Sequence, residues 1–385
     1  MALDEELLEQ LWNEEDTSGE PRPMSPWDPS KIRISTRNLS LREVVAQIDA
    51  REIDLAPDFQ REFVWKIRQQ TRLIESIMLG IPLPAFYFNQ DLDGSYQVID
   101  GVQRLTTIQL FMSGKLGLQG KYMEYLTDLN DYKFGDLDIS LQRRFRSSQI
   151  VVHIIEPQTP DEIKYDIFNR VNTLGTPLSA QEIRHAMSKN ASREFLNGLT
   201  SLPSFDLATD YSFWKRTPEG DVPNTNRMMN RELALRFCAF ASYNSQDYKT
   251  FSSMDAYLAD FLKRIDGRSE FNRMLSRDEL DHLKHAFDVA MINANMVMGR
   301  DAFRRLGTSQ KRGPINRAIF EAQALALADV DPIMLKAKAS DVANRLLKLF
   351  DDDEYVRSIS VGTGAPYRID YRLSQTRYAV QEALK

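Results

Sequence analysis

Residues 97 to 107 read Gln-Val-Ile-Asp-Gly-Val-Gln-Arg-Leu-Thr-Thr, and this stretch is the best indicator of how the N-terminal half folds. An apolar strand pattern runs into Asp100-Gly101, and a polar helix start follows. A glycine at such a turn lets the main chain approach a ligand closely. The first N–H groups of a helix are unpaired and can receive an anion, and Arg104 can add a charge-assisted hydrogen bond. The junction indicates a phosphate-binding turn, although an ordinary capped strand-to-helix turn has the same pattern.

Two further blocks of sequence flank this stretch. Residues 57–65 read Pro-Asp-Phe-Gln-Arg-Glu-Phe-Val-Trp, and residues 167–179 read Ile-Phe-Asn-Arg-Val-Asn-Thr-Leu-Gly-Thr-Pro-Leu-Ser. With the three blocks in this order, roughly residues 35 to 190 resemble the N-terminal domain of GmrSD-type modification-dependent restriction enzymes. That prokaryotic family is related to the ParB and sulfiredoxin fold. Beyond about residue 200 the resemblance is much weaker.

The resemblance implies a domain that binds and hydrolyses a nucleoside triphosphate with Mg²⁺ in defence against foreign DNA. Asp100 and Gln103 are then the expected catalytic residues, with Asp100 also the expected Mg²⁺ ligand. The expected nucleotide ligands come from all three blocks and are Gln60, Arg61, Gly101, Arg104, Thr106, Asn169, Arg170 and Asn172.

Two features leave alternatives open within this expectation. The family pattern usually has glutamine where this chain has Val102, and valine can neither donate nor accept a hydrogen bond. The sequence therefore leaves hydrolysis of the nucleoside triphosphate more open than its binding. Asn169, Arg170 and Asn172 equally fit an ordinary helix end, since asparagine tolerates the left-handed conformation of a C-cap.

Composition indicates a globular, intracellular protein. The chain has 385 residues, enough for about two domains, and 42% of them are hydrophobic. No apolar run reaches the roughly 20 residues of a membrane span, and the N-terminus is acidic where a signal peptide is basic. We therefore expect a cytoplasmic location. The single cysteine, Cys238, lies in an apolar segment and is expected to be a buried, inert thiol.

The charge balance argues against a protein that coats nucleic acid, because the formal net charge is −6. Two local basic clusters still give candidate DNA contacts, although charge runs usually just face water. The arginines proposed for DNA are Arg143, Arg144, Arg146, Arg304 and Arg305.

Periodicity and caps predict an α+β protein in three parts. An acidic tail and linker, 1–33, precedes a small ParB/sulfiredoxin-like mixed α/β domain, 34–195, and a mostly α-helical domain, 196–385. In the tail a short helix is expected at 3–14. Capping-box spacing at Ser40 and at Ser276 predicts helix starts, and Gly80 predicts a helix end. The other expected elements are strands near 84–89, 96–100 and 150–156, helices near 103–112, 227–243, 315–328 and 339–350, and helix almost throughout from residue 161.

The positions of the four histidines bear on whether this chain is a nuclease. None of His153, His185, His282 and His285 has the setting of an HNH-type nuclease, and Glu182 with His185 makes only an incomplete metal pair. The favoured interpretation is a nucleotide-binding regulator or sensor that acts with DNA, modified DNA included, or with a separate nuclease or effector protein. A DNA-binding or nicking enzyme and a non-catalytic adaptor stay open as alternatives. A membrane partner is not expected.

Overall fold

The computed structural model describes residues 28–55, 65–171, 179–217, 220–224, 228–269, 272–306 and 312–385. These residues form two compact units. One holds the described residues up to Val171 together with Glu182–Met187, and the other holds Ser179–Gln181 and the described residues from Ser188 to Lys385. A mixed sheet region followed by a mostly helical region confirms the predicted α+β class. The predicted domain limits stay a prediction, and the expected helix at 3–14 lies outside the described residues.

The sheet of the first unit has the strand order β1-β5-β3-β4-β2. Its β3 and β4 form an antiparallel hairpin, closed at Asp91–Gly94 by a turn in which Gly94 has φ +85°. On the other side of β3 the pairing with β5 is parallel, and β5 pairs antiparallel with β1. The strand bounds are β1 Ile34–Ser40, β2 Ile53–Asp54, β3 Phe86–Gln90, β4 Tyr96–Asp100 and β5 Gln149–Ile155.

Strand β1 is missing from the sequence-based prediction. Its residues, Ile-Ser-Thr-Arg-Asn-Leu-Ser, are mostly polar and carry no apolar alternation. The strand pairs with β5 over its whole length, from Ile34 opposite Ile155 to Ser40 opposite Gln149. A strand at the end of a sheet keeps much of its surface in water, so it needs little apolar sequence.

The helices of the first unit begin and end where local chemistry predicts. Helix α1 is capped by Ser40, whose Oγ accepts a hydrogen bond from the N–H of Glu43 at 3.2 Å. Helix α2 ends at Gly80, which takes the left-handed conformation that favours glycine. The helix bounds are α1 Leu41–Asp49, α2 Ile67–Leu79, α3 Val102–Met112, α4 Ile139–Ser147 and α5 Asp161–Val171.

One apolar core fills the space between the sheet and helices α1 to α4. Phe86 and Phe88 of β3 and Val152 of β5 lie on this face of the sheet and are fully buried. Phe111 of α3 meets Phe145 of α4 edge to face, with ring centroids 5.4 Å apart. The core holds the end of β4 and the start of α3 in place, and that junction carries the candidate site.

The second unit is mostly helical, as predicted. Its long helix has the predicted capping box, in which Ser276 accepts from the N–H of Glu279 and the Glu279 side chain accepts from the N–H of Ser276. Cys238 is fully buried, as predicted. The helices from Ala180 onward are α6 Ala180–Met187, α7 Asn190–Thr200, α8 Pro203–Ala208, α9 Met229–Ala241, α10 Ser245–Tyr248, α11 Met254–Ile265, α12 Arg277–Met298, α13 Arg317–Leu327, α14 Pro332–Lys348, α15 Asp353–Ser360 and α16 Pro366–Leu384.

Two short antiparallel hairpins interrupt this helical unit, and the sequence pattern did not predict them. They are Trp214–Thr217 with Gly220–Pro223, and Arg304–Leu306 with Arg312–Ile315. Strands of three or four residues are too short to show a period-two pattern. Their pairing depends on turns and tertiary contacts, and the prediction of helix almost throughout from residue 161 is corrected at these two places.

Candidate functional site

The strand-to-helix junction is built around Gly101. This residue has φ +103°, and it begins α3 without any side-chain cap. A Cβ atom at this position would lie 2.2 Å from Cδ1 of Phe86, whose ring is fully buried. Both the backbone conformation and the space therefore require glycine. As a result, no side chain of the N-cap residue covers the main chain at the start of this helix.

Asp100 and Arg104 form an ion pair at this junction. One terminal nitrogen of Arg104 lies 2.8 Å from Oδ2 of Asp100 and also donates to the carbonyl of Ala85 at 3.2 Å. The other terminal nitrogen donates to the carbonyl of Pro84, and the guanidinium lies over the Phe86 ring at 4.1 Å. Burial lowers the pKa of Arg104, and the Asp100 carboxylate opposes that shift. Asp100 is the more accessible partner, with 39% of its side chain exposed against 11% for Arg104.

This geometry changes the interpretation of Arg104. The sequence predicts a side chain that reaches a phosphate, but most of its charge is directed at Asp100 and at two backbone carbonyls. Arg104 therefore fixes the orientation of Asp100 and the path of the chain before β3. Whether it also contacts a nucleotide stays a prediction.

The other residues at the start of α3 lie either at the site or in the apolar core. The Gln103 carboxamide oxygen accepts a hydrogen bond from the N–H of Trp65 at 3.4 Å, so this side chain lies beside the junction. Thr106 is half-buried one turn further along. Val102 is 4% exposed and packs in the apolar core. A glutamine at position 102 of this backbone would start from a core-facing direction.

A row of side chains across the sheet was missed by the sequence analysis. In the strand register, Thr36 pairs with His153, His153 with Tyr87, and Tyr87 with Asp100. Thr36 Oγ1 and His153 Nδ1 are 2.9 Å apart, and the rings of His153 and Tyr87 lie with centroids 5.0 Å apart. The register bulges between Tyr87 and Phe88, next to Asp100. Bulges often redirect side chains beside functional sites.

The other predicted nucleotide ligands are only partly described. Gln60, Arg61 and Asn172 lie outside the described residues. Asn169 lies in α5, and Arg170 is exposed near the end of that helix. The roles expected for these residues stay predictions.

The arginines predicted to contact DNA differ in exposure. Arg143 and Arg144 of α4 are exposed, whereas Arg146 is half-buried and lies 5.0 Å from the centre of the Phe134 ring. Their predicted role stays a prediction.

Arg304 is buried, and its terminal nitrogens donate to protein oxygens of Gly313, Thr209 and Ser212. Its predicted contact with DNA stays a prediction. Burial lowers its pKa to about 10. Burial also lowers the pKa of Arg305, which is half-buried.

The metal-binding capacity of the junction rests on Asp100. In the part of the chain that the structure describes, no three His, Cys, Asp or Glu side chains are grouped to hold a metal ion. Mg²⁺ is commonly held by one or two carboxylates together with substrate phosphates and water. A single accessible carboxylate beside an uncapped helix start fits that mode of binding. None of the described helices is long and apolar enough to cross a membrane.

Comparison with known protein families gives a match that covers this junction. The family model described as GmrSD restriction endonuclease, N-terminal domain, matches residues 41–188. Residues 41–188 are similar to the GmrSD N-terminal domain. The match confirms the resemblance expected from the three sequence blocks, and it contains the whole Asp100–Arg104 junction. Comparison with curated proteins gives no match.

Proposed function

We propose that the GmrSD N-terminal domain of this chain binds a nucleoside triphosphate with Mg²⁺ and serves as a nucleotide-dependent regulator or sensor of a restriction system. The observation that carries the proposal is Gly101, whose φ of +103° and contact with Phe86 place the uncapped start of α3 directly after Asp100. Unpaired N–H groups at a helix start bind phosphate oxygens, and the helix dipole favours their negative charge.

Each residue of the junction has a distinct part in this proposal. The first-turn amides of α3 would hold the phosphates, and Asp100 would hold Mg²⁺, which would neutralise phosphate charge. Arg104 is a positioning residue, since it anchors Asp100 at 2.8 Å and the Pro84 and Ala85 carbonyls. Gln103 lies beside the junction through its contact with Trp65, and there it would orient an attacking water if the domain turns over nucleotide. A domain that binds without turnover would act as the non-catalytic adaptor.

Calorimetric titration with ATP, GTP, CTP and UTP, with and without Mg²⁺, tests the proposal. Asp100→Asn is expected to weaken Mg²⁺–nucleotide binding at least tenfold, equivalent to about 1.4 kcal/mol. Asp128→Asn is the matched control, because Asp128 is an exposed aspartate of the same unit in a short 3₁₀ turn. Arg104→Ala separates two roles: anchoring of Asp100 predicts a loss that requires Mg²⁺, whereas direct phosphate contact predicts a similar loss without it.

Two results would overturn the proposal. One is the absence of binding for all four nucleotides at millimolar concentration with Mg²⁺ present. The other is equal affinity of the parent and Asp100→Asn proteins, which would move the site away from this junction. Incubation with ATP or GTP and measurement of released phosphate then distinguishes an NTPase from an adaptor.

A further inference from the structure

Helix α14 of the helical unit has an exposed side with large apolar residues at both ends. Ile333 is 84% exposed and Met334 is 55% exposed near the start of the helix, and Leu347 is 43% exposed near its end. The opposite side packs into the core of the helical unit through Leu335, Val342 and Leu346. Large apolar side chains that are exposed together on one element indicate an interaction surface.

A regular row of exposed residues connects the two ends. It consists of residues 333, 337, 340, 344 and 347, which we call the α14 seam, and their spacing is four, three, four and three positions. A second helix packs along a row with this spacing. Ala337 and Ser340 in the middle of the seam are small and permit close approach. From Ile333 to Leu347 the seam is about 21 Å long, because each residue of a helix adds about 1.5 Å.

The exposed side of α14 is also basic. Lys336, Arg345 and Lys348 are exposed, whereas Asp341 is the only acidic residue of the helix. Successive residues of an α-helix are about 100° apart, so Lys336 and Lys348 lie on opposite sides of the seam. The acidic run 351–354 follows beyond the end of the helix. An acidic, amphipathic occupant is therefore favoured along the helix itself.

The N-terminal part of the chain has the matching chemistry. Residues 1–20 contain eight acidic residues and no lysine or arginine, so they are more acidic than the whole chain, whose net charge is −6. The helix expected at 3–14 lies outside the described residues, and a helix of that length spans about 18 Å, close to the length of the seam. Its leucines and its tryptophan recur three or four positions apart, which gives an apolar side, at 3, 7, 8, 11 and 12.

We propose that residues 3–16 dock on the α14 seam of the same molecule. The apolar side of this segment packs between Ile333 and Leu347, and its acidic residues lie against Lys336 and Lys348. The short linker that joins the segment to β1 keeps it near its own chain. The resulting effective concentration favours docking within one molecule over docking on a second copy.

Pairs of introduced cysteines test the docking in the full chain. Gln10→Cys in the segment and Asn344→Cys on the seam are expected to be joined within one chain by a short bismaleimide, and peptide mapping by mass spectrometry measures the yield. Cys238 does not interfere, because it is fully buried. Gln10→Cys with Asp278→Cys is the matched control, since Asp278 is equally exposed but lies at the start of α12. The control pair is expected to give little crosslink.

Charge reversal gives a second readout of the same docking. Lys336→Glu together with Lys348→Glu is expected to lower the crosslink yield roughly fivefold, because exposed ion pairs contribute about 0 to 1 kcal/mol each. Glu6→Lys with Glu9→Lys in the segment should then restore the yield. Circular dichroism establishes that the variants fold.

Three results would overturn the proposal. One is an equal crosslink yield for the seam pair and the control pair, and another is a yield that does not respond to charge reversal on α14. The third is a crosslink that forms only between two chains, since the occupant would then be a second copy. Nucleotide binding at Asp100 is measured separately and does not depend on these results.

Discussion

At the scale of single residues, Gly101 has the most consequence. Its left-handed backbone and its contact with Phe86 are two separate requirements, and each alone selects glycine. Asp100 and Arg104 then depend on this geometry, since they lie on either side of the helix start and meet at 2.8 Å. A change at Gly101 would therefore disturb both the core and the proposed nucleotide site.

Replacing Gly101 by alanine should destabilise the first unit more than the same change at Gly94. Gly94 has φ +85°, but a Cβ atom there would have open space around it, so Gly94→Ala measures the conformational strain of roughly 1 to 2 kcal/mol. Gly101→Ala adds a clash with a buried ring, and overpacking costs about 1 to 3 kcal/mol more. Denaturant unfolding measures both. Similar destabilisation of the two variants would mean that Phe86 relaxes freely.

At the scale of elements, a buried carboxylate joins helix α2 to the chain that follows α3. Glu75 is 4% exposed, and its oxygens accept from the backbone N–H groups of Glu124, Tyr125 and Leu126 at 2.8 to 3.1 Å. Burial raises the pKa of Glu75, but these three hydrogen bonds outweigh burial and leave the pKa below its ordinary value of 4.5. The charged form is thus the one that stabilises the fold.

Glu75→Gln should lower the free energy of unfolding at neutral pH, because an amide cannot accept all of these hydrogen bonds. Charged hydrogen bonds contribute about 1.5 to 3 kcal/mol. Since the pKa of Glu75 is lower in the folded state, its contribution is present above pH 4.5 and is lost as the pH falls below that value. The free energy of unfolding of the variant should therefore be lower than that of the parent at pH 7, and the two values should converge in acid.

Glu124→Gln is the control for Glu75→Gln. Glu124 forms an exposed pair with Arg72 at 2.7 Å, and such pairs contribute about 0 to 1 kcal/mol. Chemical unfolding between pH 3 and 7 measures both variants. If the free energies of unfolding of the parent and of Glu75→Gln differ by the same amount across that pH range, the charge of Glu75 is not the stabilising feature.

At the scale of the whole molecule, the two units have separate apolar cores. The helical unit also contains a buried ionic cluster, in which Glu321 contacts Arg372 and Arg236. Glu321 and Arg372 are fully buried, and Arg236 is 3% exposed. Arg372 donates in addition to the carbonyls of Ser358 and Thr363, which ties helix α16 to the turn before it. Removing the Glu321 carboxylate would take from Arg372 the carboxylate that it contacts, whereas Arg236 would keep its ion pair with Glu232 at 3.0 Å.

Glu321→Gln should destabilise the helical unit by about 3 to 5 kcal/mol, the usual result of removing one partner from a buried ion pair. Hydrogen exchange followed by mass spectrometry should show faster exchange in α9, α13 and α16, with little change in strands β3 to β5. Asp281→Asn is the control, because the contact of Asp281 among the described residues is an exposed one of 4.0 Å with Arg277. An equal increase in the rate of hydrogen exchange in strands β3 to β5 would contradict separate stabilisation of the two units.

Features that depend on neighbouring residues were predictable from the sequence alone. The Ser40 and Ser276 caps and the Gly80 helix end were predicted and are observed. The strand-to-helix change at Asp100–Val102 was predicted to within one residue of the helix start. Caps and turns form hydrogen bonds between residues two to four positions apart, so their chemistry is readable from spacing.

Contacts between distant residues, in contrast, depend on tertiary packing. The row Thr36, His153, Tyr87 and Asp100 comes from strands far apart in sequence, and a shift of one position in register would separate its side chains. Sequence pattern likewise predicted a surface role for Arg304, whereas its burial depends on oxygens of Thr209 and Ser212, more than ninety residues away. Strand register and burial are set by packing of the whole chain, and no local pattern contains that information.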